Sequence, residues 1–393
     1  MKKYLFFALA AVGMLSSCSS DDVVSSGSDP VDDNSLVPIR IGLGQTITRG
    51  TGTVGGFDDT NDNVWNRQLV NIYMLYKDSI GLAIFDPQSG DQSGIYDNAV
   101  FYTPSALQTG LATPFDNSIK YYPTQKKFDF WGYRLDDAEI LSGPTLGTDS
   151  LTVNFKIDGS QDVMLAKAVP SAADTAKLGN AAADRAFSSY AARHDVQPNL
   201  VFKHHLTRLT FEVIPGGAGA VSATSPVVID SIKVIAPNQG KMVIASTGDI
   251  RGEKQGVIWE ESKDSLVLKE RKAGDTQDKD LVKLTSVSLA DATVNTPVPV
   301  GEALMVAPDA QYDLVIFLHQ DVPTQIGSTD KKKIKYSYKD VIQRVGDVGG
   351  FNKGTSYKVQ ITLWGLTDIQ ITTTLTNWED GGDAIDLRPE DQE

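Results

Sequence analysis

The sequence predicts a mostly β chain folded as tandem β-sandwich domains, and three observations lead there. Short stretches of alternating apolar and polar residues recur along the chain, with Gly, Pro and Asn between most of them. Only residues 171–193, rich in alanine with scattered charges, break that pattern. The 393 residues are 41% hydrophobic, which suits two domains of the usual ~100–200 residues with real cores.

Charge and cysteine content exclude several classes of protein. A phosphate backbone selects clustered Lys and Arg, whereas here 36 basic residues face 50 acidic ones and the net charge is −14. No nucleic-acid partner is expected. The basic run Lys331-Lys332-Lys333 has no interleaved aromatics and reads as a solvated turn. A single cysteine cannot build a disulfide framework or a thiolate zinc site.

The first element is an address. Met1-Lys2-Lys3 is a basic start, and the apolar run 4–15 is too short to span a bilayer but suits a secretory signal. The run ends in Leu15-Ser16-Ser17-Cys18, which resembles the bacterial lipobox. That resemblance implies removal of residues 1–17 and acylation of Cys18, with each buried CH₂ contributing ~0.8 kcal/mol to membrane anchoring. Ser19-Ser20-Asp21-Asp22 resembles the surface-export signal of Bacteroidota lipoproteins. The expected product is an outer-membrane lipoprotein facing outward.

Residues 19–35 are rich in Ser and Asp, with few apolar side chains, and read as a flexible tether. Period-two alternation then begins at Val37 and continues through Ile39, Ile41, Leu43 and Ile47, with Gln45 as the polar interruption. This is a strand with one buried face, and Pro38 puts it at a sheet edge or at its own start. Residues 48–56 are small and flexible around Arg49, which leaves the Arg49-Gly50 bond open to a trypsin-like protease.

Further strands are expected over 70–76, 128–133, 151–157, 209–213, 228–234, 312–318, 357–363 and 369–375. Residues 171–193 read as one or two helical turns or an interdomain crossover. The division is therefore 1–17 signal, 18–49 lipidated tether and propeptide with the first strand, 50–195 first domain, and 196–393 second domain with its tail.

No catalytic or metal constellation stands out, and no cofactor is expected. Gly50-Thr-Gly52-Thr-Val-Gly55 matches GxGxxG but lacks the helix that a dinucleotide site needs. Asp59-Thr-Asn61-Asp-Asn63 matches the opening of an EF-hand loop, yet Val64 and Val70 stand where its glycine and glutamate belong. Ser328-Thr-Asp-Lys331 fits SxxK without the companion motifs. Of His204 and His205, one should face the interior and the other solvent.

Several segments together resemble the fimbrillin superfamily, the lipoprotein-derived pilins of Bacteroidota. They are Lys127-Phe-Asp-Phe-Trp-Gly-Tyr133, Gln161-Asp-Val-Met-Leu-Ala166, Leu200-Val-Phe-Lys-His-His-Leu-Thr-Arg-Leu-Thr-Phe211, Glu302-Ala-Leu-Met-Val-Ala-Pro308 and Lys353-Gly-Thr-Ser-Tyr-Lys-Val359. The resemblance implies two transthyretin-like β-sandwich domains and a structural role in an extracellular fimbria, as a tip or shaft pilin supporting adhesion. It also implies an arginine-specific protease acting after Arg49, release of the strand carrying Val37, Ile39, Ile41, Leu43 and Ile47, and entry of a neighbouring pilin's C-terminal strand. Burial of those five side chains is worth roughly 8–15 kcal/mol, which the opened groove would lose.

The donor residues on this chain would be Ile369, Ile371, Leu375, Ile385 and Leu387. After Trp378 only Ile385 and Leu387 alternate, a poor donor that tilts the reading towards a tip or accessory subunit. A tethered adhesin or glycan-binding lipoprotein held by Cys18, or a pilus anchor that keeps its first strand, is the competing reading.

Overall fold

Residues 69–78 show how the alternation becomes structure. On strand Leu69–Asp78, Val70, Ile72 and Met74 face one side and Tyr73 and Leu75 the other, and all five are buried. A strand buried on both faces needs a sheet around it and cover above and below. It pairs antiparallel with Asp129–Arg134 on one side and Ala99–Tyr102 on the other.

The computed structural model describes residues 36–44, 69–78, 81–84, 99–102, 110–114, 119–122, 127–147, 149–248, 254–271, 281–325, 328, 330–343, 350–366 and 368–376. From Val37 on they belong to one compact unit. Strands dominate, as the alternation predicts.

The sheet around Leu69–Asp78 runs, edge to edge, Lys203–His204, Met164–Lys167, Asp129–Arg134, Leu69–Asp78, Ala99–Tyr102 and Thr113–Pro114. One face, with Tyr73, Trp131, Tyr133 and Leu165, shares a core with the inner face of a second sheet. That second sheet orders Gly256–Trp259, Gln239–Ser246, Ser150–Lys156 and Glu139–Leu146. Its central pairing joins residues 150–156 to 239–246, so it draws on both sides of residue 195. Residues 199–204 also pair back with strands that precede them.

The other face, with Val70, Met74, Phe130 and Met164, is covered by residues 37–43, by the helical crossover and by Leu200 and Phe202. The crossover forms where alanine content is high. Helix Ala172–Leu178 starts at a capping box, with Ser171 and Asp174 each satisfying the other's backbone N–H. Ser188 caps Ser189–Arg193 in the same sense, accepting from Ala191 N.

The C-terminal part is a sandwich of two sheets around one core. One orders Val298–Val306, Thr207–Pro215, Thr355–Leu363 and Ile369–Thr376, and the other Lys263–Val267, Val227–Pro237, Gln311–Pro323 and Lys331–Gln343. Phe211, Val234, Ile316, Tyr357 and Ile361 fill the space between them. Thr207–Pro215 and Thr355–Leu363 run parallel over their full length.

Two expectations need correction. His204 and His205 are both buried, 2% and 5% exposed. Strand Lys203–His204 ends there, and the chain turns inward with His205 N bonded to Val163 O, so the alternation that would expose one of them is broken. The run Lys331-Lys332-Lys333 is not a turn: it opens strand Lys331–Gln343, whose register is pinned by antiparallel pairing to Gln311–Pro323.

His204 Nδ1 lies 2.7 Å from Asp162 Oδ2, with both side chains shut away from water. Asp162→Ala removes a buried hydrogen-bond partner of His204, so it should lower stability by about 1–3 kcal/mol, read by urea unfolding.

Candidate strand-exchange groove

The first strand predicted from the alternation lies in a slot with backbone partners on both sides. On one side Ile39 N donates to Lys120 O at 2.7 Å, Tyr122 N to Val37 O at 2.9 Å and Ala112 N to Ile41 O at 2.8 Å. On the other, Gly42 N donates to Pro198 O at 2.9 Å. The regular part, Gly42–Gly44, is the middle of a three-stranded sheet, parallel to Asn199–Val201 and antiparallel to Gly110–Leu111. Pro38 sits at the start of this segment, in an isolated bridge to Tyr121, where its missing N–H costs nothing.

Side chains divide as the period requires. Ile41 and Leu43 are 1% and 2% exposed, Val37 and Ile39 are half-buried against the same core, and Arg40 faces solvent. Full burial of Ile41 and Leu43 alone is worth about 3–6 kcal/mol. Gly42 permits a close approach: a Cβ there would meet Asn199 Oδ1 at 2.9 Å.

Gln197 closes the entrance. Its Oε1 accepts from Arg40 N at 3.2 Å and from the Tyr122 hydroxyl at 3.1 Å, and its Nε2 donates to Pro38 O at 3.4 Å. Burial pushes the Tyr122 phenol far above its ordinary pKa, so it stays a donor. Gln197 carries no motif, and Leu200-Val201 marked only the family, not a pairing partner. Their role follows from pairing with a segment more than 150 residues away, and sequence reasoning missed it.

Withdrawal of the segment would leave the facing backbone groups of 110–112, 120–122 and 198–201 without partners, beside an open apolar floor. Such a slot favours an incoming strand, which would gain main-chain hydrogen bonds on both sides and fill side-chain pockets at alternate positions.

The remaining predicted residues are placed differently. Ile369 and Ile371 lie half-buried on edge strand Ile369–Thr376, which pairs antiparallel with Thr355–Leu363 through eight register positions. Leu375 is on the same strand, opposite Tyr357. Cys18, Ile47, Arg49, Gly50, Ile385 and Leu387 lie outside the described residues.

The sequence profile of the fimbrillin-like family matches residues 62–378. The chain belongs to the fimbrillin-like family. This makes it a fimbrial structural subunit that acts in adhesion at the cell surface, with other fimbrial proteins as partners. No curated protein matches the fimbrillin-like chain in sequence.

Solved structures that align with this fimbrillin-like protein include a candidate cell adhesion protein from Bacteroides uniformis, at 15% identity over 87% of this chain and 99% of that one, with a TM-score of 0.42. The fimbrial anchor protein Mfa2 from Porphyromonas gingivalis aligns at 10% identity over 87% and 99%, TM-score 0.33. The tip fimbrial protein Mfa3 from the same organism, C-terminally truncated, aligns at 7% identity over 87% and 100%, TM-score 0.33. Family membership rests on the profile match.

Proposed function

We propose that this fimbrillin-like protein is a tip or shaft pilin delivered as a lipoprotein through Cys18, cut by an arginine-specific protease between Arg49 and Gly50, and assembled by donor-strand exchange. The observation that carries this reading is the central position of residues 37–44, held on both sides by a chain that cleavage at Arg49 would leave behind. Cleavage turns the segment from a covalent part of the fold into a bound peptide. A neighbouring subunit's strand can then compete for its place.

Cleavage also separates the pilin from the acyl chains on Cys18, so that a polymer can leave the membrane. Strand Ile369–Thr376 can act as a donor only by giving up its ladder with Thr355–Leu363. That favours a tip position, where a subunit needs an acceptor groove and no donor.

Limited trypsin treatment of the purified protein, followed by mass spectrometry and unboiled SDS gels, tests the reading. Cleavage after Arg49 with an SDS-resistant ladder identifies a shaft pilin, and cleavage without a ladder a tip pilin. Arg49→Ala should abolish both the cut and any ladder while leaving thermal unfolding unchanged. An Arg49 that stays intact while other loops are nicked would overturn the processing step and leave the tethered adhesin or anchor.

A further inference from the structure

The outward face of the second C-terminal sheet carries a group of lysines that the groove does not use. Pairing of Lys331–Gln343 with Gln311–Pro323 sets Lys335 opposite His319 and Lys333 opposite Asp321. Leu314, Ile316 and Leu318 turn into the core, so Phe317 and His319 face outward with them. On the next strand Lys233 sits opposite Val315, its Nζ 5.1 Å from the centre of the Phe317 ring. Lys269 and Lys283 face each other across the small pair Lys269–Arg271 and Leu281–Lys283.

These five lysines and Phe317 line one concave pocket of about 740 Å³. Its lining holds a single carboxylate, Asp230, which is already engaged by His319 Nδ1 and Ser286 Oγ, each at 2.8 Å. Burial alone would raise the Asp230 pKa, but the hydrogen bonds from His319 and Ser286 and the charges of His319 and Lys333 outweigh it and hold the carboxyl ionised below its usual range. Lys269 has a partner outside the pocket in Asp158, at 2.7 Å. Lys233, Lys283, Lys333 and Lys335 have no ion pair among the described residues.

Lys269 and Lys283 are like charges directly opposite each other across a ladder, a destabilising arrangement. A chain with net charge −14 has acidic residues to spare for pairing, yet here it gathers ammonium groups around an apolar floor. We propose that this pocket binds a sulfated saccharide, with sulfate groups on the lysines and the apolar face of a sugar ring on Phe317.

Three features select that ligand. The volume lies in the range of small-ligand sites and takes a few sugar units, not a duplex. The lining has lysines and no arginine, so it offers separate point charges suited to dispersed sulfates and lacks the planar fork that matches a carboxylate. The overall negative charge repels long polyanions and favours a short sulfated end. This inference adds a ligand to the adhesive role of the family. It does not depend on processing at Arg49, because binding is read on uncleaved protein.

The test is calorimetric titration of the purified protein with a sulfated chondroitin hexasaccharide, its desulfated counterpart, poly-glutamate and a single-stranded DNA hexamer. Binding of the sulfated sugar alone, weakening as salt rises, is expected. Lys333→Glu with Lys335→Glu should weaken it at least about tenfold. Phe317→Leu, which keeps apolar bulk and net charge but removes the ring, should weaken it about fivefold. Thermal unfolding of each variant confirms that the fold is intact. Equal binding of poly-glutamate or DNA would reduce the pocket to an ion exchanger and overturn the proposal. So would no binding of the sulfated sugar, or affinity unaffected by either set of substitutions.

Discussion

An Ile41→Asp variant is expected to lose residues 37–44 from their slot and at least ~3 kcal/mol of stability, because a buried carboxylate would have no cation to meet it. Ile41 is 1% exposed and packs in the core shared by Val70, Phe130 and Phe202. Its neighbour Arg40 faces solvent, so Arg40→Asp should stay within ~0.5 kcal/mol of the parent. Urea unfolding gives the energy difference. Hydrogen exchange at the amides of Ile39 and Gly42, bonded to Lys120 O and Pro198 O, reports whether the segment has left. Retained protection in Ile41→Asp would mean that the backbone ladder, not side-chain burial, holds the strand. A peptide replacing it would then need no particular apolar sequence.

Phe202→Ala should cost about 3–5 kcal/mol, the usual range for emptying a buried phenylalanine site. Phe202 is fully buried and follows strand Asn199–Val201, which pairs with residues 42–44, so the cavity also loosens one wall of their slot. The ring presses on Gly132, where a Cβ would meet Phe202 Cζ at 2.7 Å and Leu200 Cδ1 at 3.3 Å. Gly132→Val alone should therefore overpack the site and cost about 1–3 kcal/mol. The two substitutions together should cost less than their sum, since the valine occupies space the phenylalanine vacates. A double-mutant cycle by urea unfolding measures that coupling. Strict additivity would show that the strand and the sheet beneath it do not move as one packed body.

Much of the fold was legible because a strand's two faces are written at every second residue. The alternation over 70–76, 151–157 and 357–363 marks strands, and the sides it assigns to Ile41 and Leu43 are the sides they take. Helical turns were one of two readings of the Ala-rich residues 171–193, and the structure forms them with caps at Ser171 and Ser188 that need only residues within one helical turn. His204 and His205 misled because period-two reasoning assumes that the strand continues, and here it stops at His204. The lysine run misled because three adjacent charges look like a loop until the long antiparallel pairing of 311–323 with 331–343 is in place.

By itself, the sequence determined the β class, the family and the apolar face of the first strand. These depend on local periodicity, composition and short motifs, which the chain carries without regard to its path. Only the tertiary structure decided that residues 42–44 form the middle strand of a sheet, that Gln197 clamps the entrance, and that five lysines from four strands share one pocket with Phe317. In each case the partners lie tens to hundreds of residues apart. A strand's alternation tells which side seeks a core but not which strand will lie beside it, and that choice is made by packing of the whole chain.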